Sequence, residues 1–242
     1  MPFIELDFDR MPQHVAVIMD GHGRWAKSQG KSRSAGHRYG MERLCKVVRT
    51  ASDIGLDVLT LYAFSTENWK RPRPEVEILF GLLVEYLRRE ILELHQNGIR
   101  LMTIGDGSAL PALARREVEA GKELTRNNTG MVLNIALNYG ARDEIIKAAQ
   151  SLAKEAAEGS IAPREIDEEM FASKLFTAGL PDPDLLIRTS GEQRLSNFML
   201  YQLSYAEMVF TPLHWPDFTD EVFADCLSVY MARERRFGAL KE

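Results

Sequence analysis

Asp20, Gly21 and Gly23 stand together in the stretch Val17-Ile18-Met19-Asp20-Gly21-His22-Gly23-Arg24-Trp25-Ala26. An apolar run leads into a carboxylate and two glycines, and Arg24, Arg33 and His37 follow soon after. Glycines let backbone N–H groups approach an anion closely, and arginine and histidine donate to phosphate oxygens. A carboxylate beside a phosphate cradle is repelled unless a cation lies between them, so Asp20 makes chemical sense there together with Mg²⁺. On these residues alone two other readings stay open. Gly21-His22-Gly23-Arg24-Trp25-Ala26 formally fits the dinucleotide fingerprint G-x-G-x-x-A, although the next strand is expected only near residue 57, too late for the ribose-binding acid. The stretch could equally be a tight turn with a surface aspartate.

A second set lies late in the chain. Arg188 closes an apolar run, where a surface role would be unusual, and Arg194 and Ser196 follow it. Two guanidinium forks and a hydroxyl are the donors a diphosphate wants. Taken singly, Arg194 and Ser196 could be ordinary loop residues. Between the two sets, the segment 66–75 carries Pro, charge and one Trp between an apolar run and a long amphipathic stretch. That composition suits a mobile lid, while Trp69 could also be a packed loop residue.

The elements that must position these residues follow from hydropathy. Continuous apolar runs at 15–20, 58–65, 99–105, 131–139, 185–189 and 208–211 read as strands buried on both faces, as in a parallel sheet. Amphipathic stretches separate them. Met41, Leu44, Val47, Val48, Ala51 and Ile54 recur at helical spacing before Gly55, and a second such series runs over 78–94 to Asn97-Gly98. Further helices are expected near 110–126, 142–157, 167–176 and 220–236, the last capped by Thr219. The alternation predicts an α/β fold: one domain over 1–242, with a mostly parallel six-stranded sheet flanked by helices and residues 1–12 as a flexible arm. In such sheets ligands bind beyond the carboxyl ends of the strands, where Asp20, Ser65, Asn138 and Arg188 fall.

Composition narrows the function further. A net charge of −5 gives no footprint for nucleic acid. Of the 30 basic residues 21 are Arg, which grips phosphate in a bidentate manner, although genomic composition alone can produce such usage. Cys45 and Cys226 form neither a disulfide framework nor a metal-ligand spacing, which suits a reducing cytoplasm. The acidic N-terminus is unlike a signal peptide, and no apolar run reaches the roughly 18 residues of a membrane span.

Read in order, the motifs resemble those of the cis-prenyltransferase family. Met19–Ala26 is similar to its opening motif and Leu61-Tyr62-Ala63-Phe64-Ser65-Thr66-Glu67-Asn68-Trp69 to its second. Gly105-Asp106, Asn134-Ile135-Ala136 and Asn138-Tyr139-Gly140 match its middle. The segments 184–192 and 194–198, then Tyr205-Ala206-Glu207, Trp215-Pro216-Asp217-Phe218 and Arg235-Arg236-Phe237-Gly238, complete it. The match spans about residues 12–238, and five ordered motifs are far more specific than one glycine turn.

The resemblance implies an enzyme that adds isopentenyl diphosphate units to an allylic diphosphate such as farnesyl diphosphate, with Mg²⁺ as cofactor, yielding a polyprenyl diphosphate of undecaprenyl type for cell-wall lipid carrier synthesis. It implies Asp20 and Asn68 as catalytic residues, with Asp20 and Glu207 as metal-associated carboxylates. Gly21, Gly23, Arg24, Arg33 and His37 would hold the allylic diphosphate, and His22 and Trp25 would be further substrate-binding residues, His22 at a position that organises the reacting end. Phe64, Ser65, Thr66, Glu67, Trp69 and Arg71 would lie near the reacting ends. Arg188, Arg194 and Ser196, with Arg236 and Gly238 reaching across a homodimer, would hold isopentenyl diphosphate. On sequence alone Glu207 could be a solvent-facing acid before an edge strand, and Arg236-Phe237-Gly238 a cationic helix end. An apolar tunnel along the helix near 76–96 would shelter the growing chain, and a transient contact with a membrane surface would release it.

Two departures stand out. His22 occupies a position where the family usually has Asn; since histidine ordinarily titrates near neutral pH, an altered pH dependence between pH 6 and 9 is expected. Gln193 stands where some relatives carry His. Competing classes are weaker. There is no D-D-x-x-D motif of a trans-prenyltransferase, a dehydrogenase rests only on the glycine fingerprint, and a non-catalytic partner subunit would lack the Asp20, Arg24, Arg188 and Arg194 present here.

Overall fold

The apolar runs become strands β1 (His14–Ile18), β2 (Val58–Ser65), β3 (Arg100–Ile104), β4 (Val132–Tyr139), β5 (Leu185–Arg188) and β6 (Glu207–Phe210). In the computed structural model, which describes residues 7–234, they form one sheet in the order β3-β4-β2-β1-β5-β6. All five pairings are parallel. Each strand therefore needs a long crossover before its neighbour, and helices supply most of these. They are α1 (His22–Ser28), α2 (Arg33–Asp53), α3 (Arg73–Gln96), α4 (Ala112–Thr125), α5 (Ala141–Ala157), α6 (Glu168–Ala172) and α7 (Asp220–Met231).

Local chemistry sets the ends of the helices. The Ser32 hydroxyl accepts from the Ala35 N–H at 3.2 Å and starts α2. The Thr219 hydroxyl accepts from the Val222 N–H at 3.4 Å and starts α7, as its sequence position predicts. The expected helix over 167–176 is shorter, ending at Ala172. The reason is tertiary: the Phe176 N–H donates to the buried Glu144 carboxylate at 2.8 Å, and so leaves the helical ladder.

Alternation along each strand divides the core between the two sheet faces. Val15, Val17, Leu59, Leu61, Leu133, Ile135, Leu185 and Ile187 face α2, α3, α4 and α7. Ala16, Ile18, Ala136 and Leu186 pack with Tyr139, Phe198, Met199 and Leu203 on the other side. Of the expected N-terminal arm, Phe8–Arg10 form a short 3₁₀ turn, and Arg10 Nη2 donates to the Arg233 carbonyl at 3.1 Å. Residues 1–6 lie outside the described part.

Sheet order places the ligand site. The chain leaves β1 toward β2 on one side, whereas from β5 it continues to β6 on the other. Connections diverging from adjacent strands leave a crevice beyond their carboxyl ends. Asp20 follows β1 and Arg188 ends β5 at that crevice.

Candidate active site

Asp20 is held from every direction. Its peptide N–H donates to Thr189 Oγ1 at 2.8 Å, and the same hydroxyl donates back to the Asp20 carbonyl at 2.8 Å. That carbonyl also accepts from the Trp215 N–H at 3.0 Å. On the side chain, Oδ1 accepts from the Gly21 N–H at 2.7 Å and Oδ2 from Arg188 Nη2 at 3.0 Å, with Arg24 Nη2 3.5 Å from Oδ1. Partial burial alone would raise the carboxyl pKa, but the Arg188 and Gly21 hydrogen bonds and the nearby guanidinium charges hold it below the usual carboxylate range.

The glycine turn is required sterically. Gly21 has φ +99°, and a Cβ there would fall on Ser190 Oγ and 2.7 Å from His214 Nδ1. Those two side chains bond each other at 2.6 Å and back the turn. Gly23 packs against Arg33, whose Nε would lie 3.2 Å from an added Cβ.

Arg188 is 2% exposed and works as a hub. Besides Asp20 it donates to Ser196 Oγ at 2.8 Å and meets the Arg194 carbonyl, drawing the loop after β5 around itself. Ser190, Ser196 and Asn197 in this loop have φ of +79°, +52° and +63°. Non-glycine residues hold such backbone only where surroundings over-determine it, as at sites that position ligands. Arg24 and Arg194 both pair with Glu192 in this loop, Arg24 Nη2 at 2.9 Å.

A cavity of about 570 Å³ opens from this crevice between the sheet, α2 and α3. Polar groups, among them Asp20, His22, His37, Ser65, Glu67, Asn68, Arg71, Arg188 and Ser196, line it together with a larger apolar surface from Met41, Leu44, Phe64, Leu79, Phe80, Leu82, Leu83 and Leu137. The segment 66–70 is a 3₁₀ turn at its rim, begun by the Asn68 side chain accepting from the Ser65 N–H at 3.0 Å. Glu67 accepts from Asn197 at 2.9 Å and is 3.2 Å from Thr66 Oγ1. Trp69 packs on Phe64 and Phe80 and donates its indole N–H to Asn138 Oδ1 at 2.8 Å.

His22 lines the cavity with its ring stacked on His37, centroids 4.9 Å apart, and lies against Gly40, where a Cβ would collide with it. Burial, then the neighbouring His37 with the Arg71 and Arg33 charges, push its pKa down to about 3, opposed by the Asp20 carboxylate. Residue type alone places the titration near neutral pH, whereas these surroundings favour the neutral ring in the free protein.

Two expected site residues stand elsewhere. Trp25 is buried outside the cavity wall, donating to Asp217 Oδ1 at 2.7 Å. Glu207 pairs in register with Leu185, at the amino end of β5 and three residues from the level of Arg188, and its carboxylate accepts from Arg233 Nη1 at 2.7 Å. Within one chain Glu207 does not join Asp20. Arg236 and Gly238 lie outside the described residues. Among those described, no three His, Cys, Asp or Glu side chains gather as a metal cluster. Residue types alone assign no role to Thr189, Glu192 and Glu75, and only the four-residue spacing of Arg71 and Glu75 points to one of these contacts.

A parallel α/β sheet with a crevice beyond the ends of β1 and β5, opening into a cavity of mixed polar and apolar lining, defines the class of α/β proteins that bind ligands at the carboxyl ends of their strands. Residues 18–238 match the family described as "Putative undecaprenyl diphosphate synthase". An isoprenyl transferase of Heliobacterium mobile is 52% identical over 237 residues, covering 98% of this chain and 91% of the relative. The ditrans,polycis-undecaprenyl-diphosphate synthase ((2E,6E)-farnesyl-diphosphate specific) of Vibrio cholerae is 48% identical over 242 residues, covering 100% and 97%. The crystal structure of lavandulyl diphosphate synthase from Lavandula x intermedia, in complex with dimethylallyl diphosphate, superposes with a TM-score of 0.93 at 39% identity, covering 96% of this chain and 100% of that one. The chain belongs to the undecaprenyl diphosphate synthase family of isoprenyl transferases.

Proposed function

We propose that this enzyme condenses isopentenyl diphosphate units with an allylic diphosphate, farnesyl diphosphate, to make a long-chain polyprenyl diphosphate of undecaprenyl type. The observation that carries the reading is the continuity of the Asp20–Arg188 crevice with the apolar cavity. In each cycle the allylic carbon–oxygen bond breaks and its electron pair leaves with diphosphate. The isopentenyl double bond attacks the allylic carbon, and loss of a proton forms the new double bond. No covalent enzyme nucleophile is required, so catalysis rests on positioning and charge.

Gly21, Gly23, Arg24, Arg33, His37 and Arg71 would hold the allylic diphosphate, and Arg188, Arg194 and Ser196 the incoming one. Asn68, fixed by its bond to Ser65, would orient the reacting end beside Phe64 and Trp69. The donor set suits Mg²⁺: the ion commonly takes only one or two carboxylates and completes its shell with phosphate oxygens and water, and Asp20 offers a partly exposed, ionised carboxylate among phosphate-binding cations. When bound, Mg²⁺ would neutralise charge on the leaving diphosphate. The chain would grow along α3 into the cavity, past Leu79, Phe80 and Leu83. A homodimer, with Glu207, Arg236 and Gly238 serving the partner's site, and a transient membrane contact at the inner face for product release complete the reading. Among the described residues no helix is long and apolar enough to cross a membrane.

The test is incubation with labelled isopentenyl diphosphate, farnesyl diphosphate and Mg²⁺, followed by sizing of the lipid extract. A long polyprenyl product, abolished in Asp20→Ala with an unchanged circular dichroism spectrum, is the expected result. Full turnover by Asp20→Ala refutes the mechanism.

A further inference from the structure

Glu75 lies in the first turn of α3, and one of its carboxylate oxygens sits at the meeting point of three basic groups. Oε1 is 2.9 Å from Arg71 Nη1, 3.3 Å from Arg33 Nε and 3.7 Å from His37 Nε2. These groups come from the lid segment and from α2, and the carboxylate between them is largely buried, with 12% of its side chain exposed. The arrangement is incomplete as a structural ion pair. His37 Nε2 is buried without a hydrogen-bond partner, since 3.7 Å exceeds bonding distance. A buried nitrogen left unpaired carries a desolvation cost, which a ligand oxygen or water reaching it would remove. A single carboxylate oxygen serves two guanidinium groups and leaves the imidazole unsatisfied. A diphosphate, with several oxygens spread over a larger volume, could satisfy all three.

We propose that Glu75 is a displaceable internal anion. In the free protein it stands in for a diphosphate oxygen between Arg33, His37 and Arg71, and a bound diphosphate takes over these groups and releases the carboxylate. This deepens the proposed function and rests on its placement of the allylic diphosphate. It has a mechanical consequence, because Glu75 shares α3 with Leu79, Phe80, Leu82 and Leu83 of the cavity wall. The N-terminal cap position of α3, Pro72, makes no side-chain capping bond. The Glu75 contacts therefore tie the first turn of the helix to α2, and their release frees that turn when the anion site fills. Occupancy by the charged end is thereby linked to the mouth of the hydrocarbon cavity.

The sign of one binding change separates this role from a merely structural ion pair. Inorganic diphosphate is titrated calorimetrically, without Mg²⁺, into the wild-type protein and into Glu75→Gln. Removing a competing charge should tighten binding about tenfold. A structural role predicts unchanged or weaker binding, and either result overturns the proposal; tightening cannot arise from a damaged fold. Should Glu75→Gln not fold, Glu75→Asp decides on the same criterion, since its shorter side chain withdraws from Arg33 and His37. If the wild-type protein binds diphosphate and the variants bind no tighter, only this inference falls. If the wild-type protein binds no diphosphate with or without Mg²⁺, the proposed function falls with it.

Discussion

Thr189 holds Asp20 by both ends of its peptide unit, accepting from its N–H and donating to its C=O through one buried hydroxyl. The carboxylate that the proposed chemistry depends on is thus aimed by a residue that need not touch substrate. Thr189→Val keeps the shape but strands the part-buried Asp20 N–H, and should cost about 1 kcal/mol of stability in urea unfolding. It should also lower kcat, whereas Thr189→Ser keeps both near wild type; equal behaviour of the two variants would count against the clamp. The neighbouring His22 carries a different expectation. With its pKa near 3, its ring proton resonances in the free protein should stay constant from pH 6 to 9 in an NMR titration, and a midpoint in that window would contradict the assignment.

Among the elements, the rim turn over 66–70 depends on one distant asparagine. Asn138, at φ +49° at the end of β4, accepts from the Trp69 indole and donates to the Asp106 carbonyl at 3.0 Å, so it joins the turn to the segment following β3. Asn138→Gly removes both bonds without straining the backbone. Faster amide exchange over 66–71, with KM for the allylic substrate rising several-fold while global stability falls by about 1–2 kcal/mol, is the expected result. Exchange unchanged in that segment would mean that ring packing on Phe64 and Phe80 alone holds it.

For the molecule as a whole, acid stability should be governed partly by a polar chain inside the sheet. His14 Nδ1 donates to the Pro181 carbonyl at 2.7 Å, Thr60 Oγ1 bonds His14 Nε2 at 2.7 Å, and Asn134 Nδ2 donates to Thr60 at 3.0 Å; the His14, Thr60 and Asn134 side chains are fully buried. Burial, opposed by the Pro181 bond and by Asp184, lowers the His14 pKa to about 4. Above the ordinary value near 6.5 both folded and unfolded chains hold it neutral. As pH falls from 6.5 toward 4, only the unfolded chain takes up the proton, so stability drops, by about 2 kcal/mol at pH 5. Urea midpoints at pH 7 and pH 5 measure this drop, and it should shrink in His14→Gln. An undiminished drop would place the acid sensitivity elsewhere.

Much of this was readable in the chain. Six strands lie within two residues of their apolar runs at either end; burial on both faces demands continuous apolar character in β1, β4 and β5, whereas the edge strands β3 and β6 are only partly buried. Asp20, Arg188 and Ser196 stood out because charge and hydroxyl at the end of such a run need a reason. Residue order says nothing, however, about which strands become neighbours. The sheet order brings Asp20 and Arg188, 168 residues apart, to 3.0 Å at one crevice. It leaves Glu207 at the other end of its strand pair and turns Trp25 to Asp217. The neutrality of His22 is likewise a property of what encloses the ring, since residue type supplies only the ordinary pKa. The contacts of Thr189 and Glu75 are decided in the same way. A hydroxyl or a carboxylate is common along any chain, and its meaning lies in the partners that folding places within bonding distance.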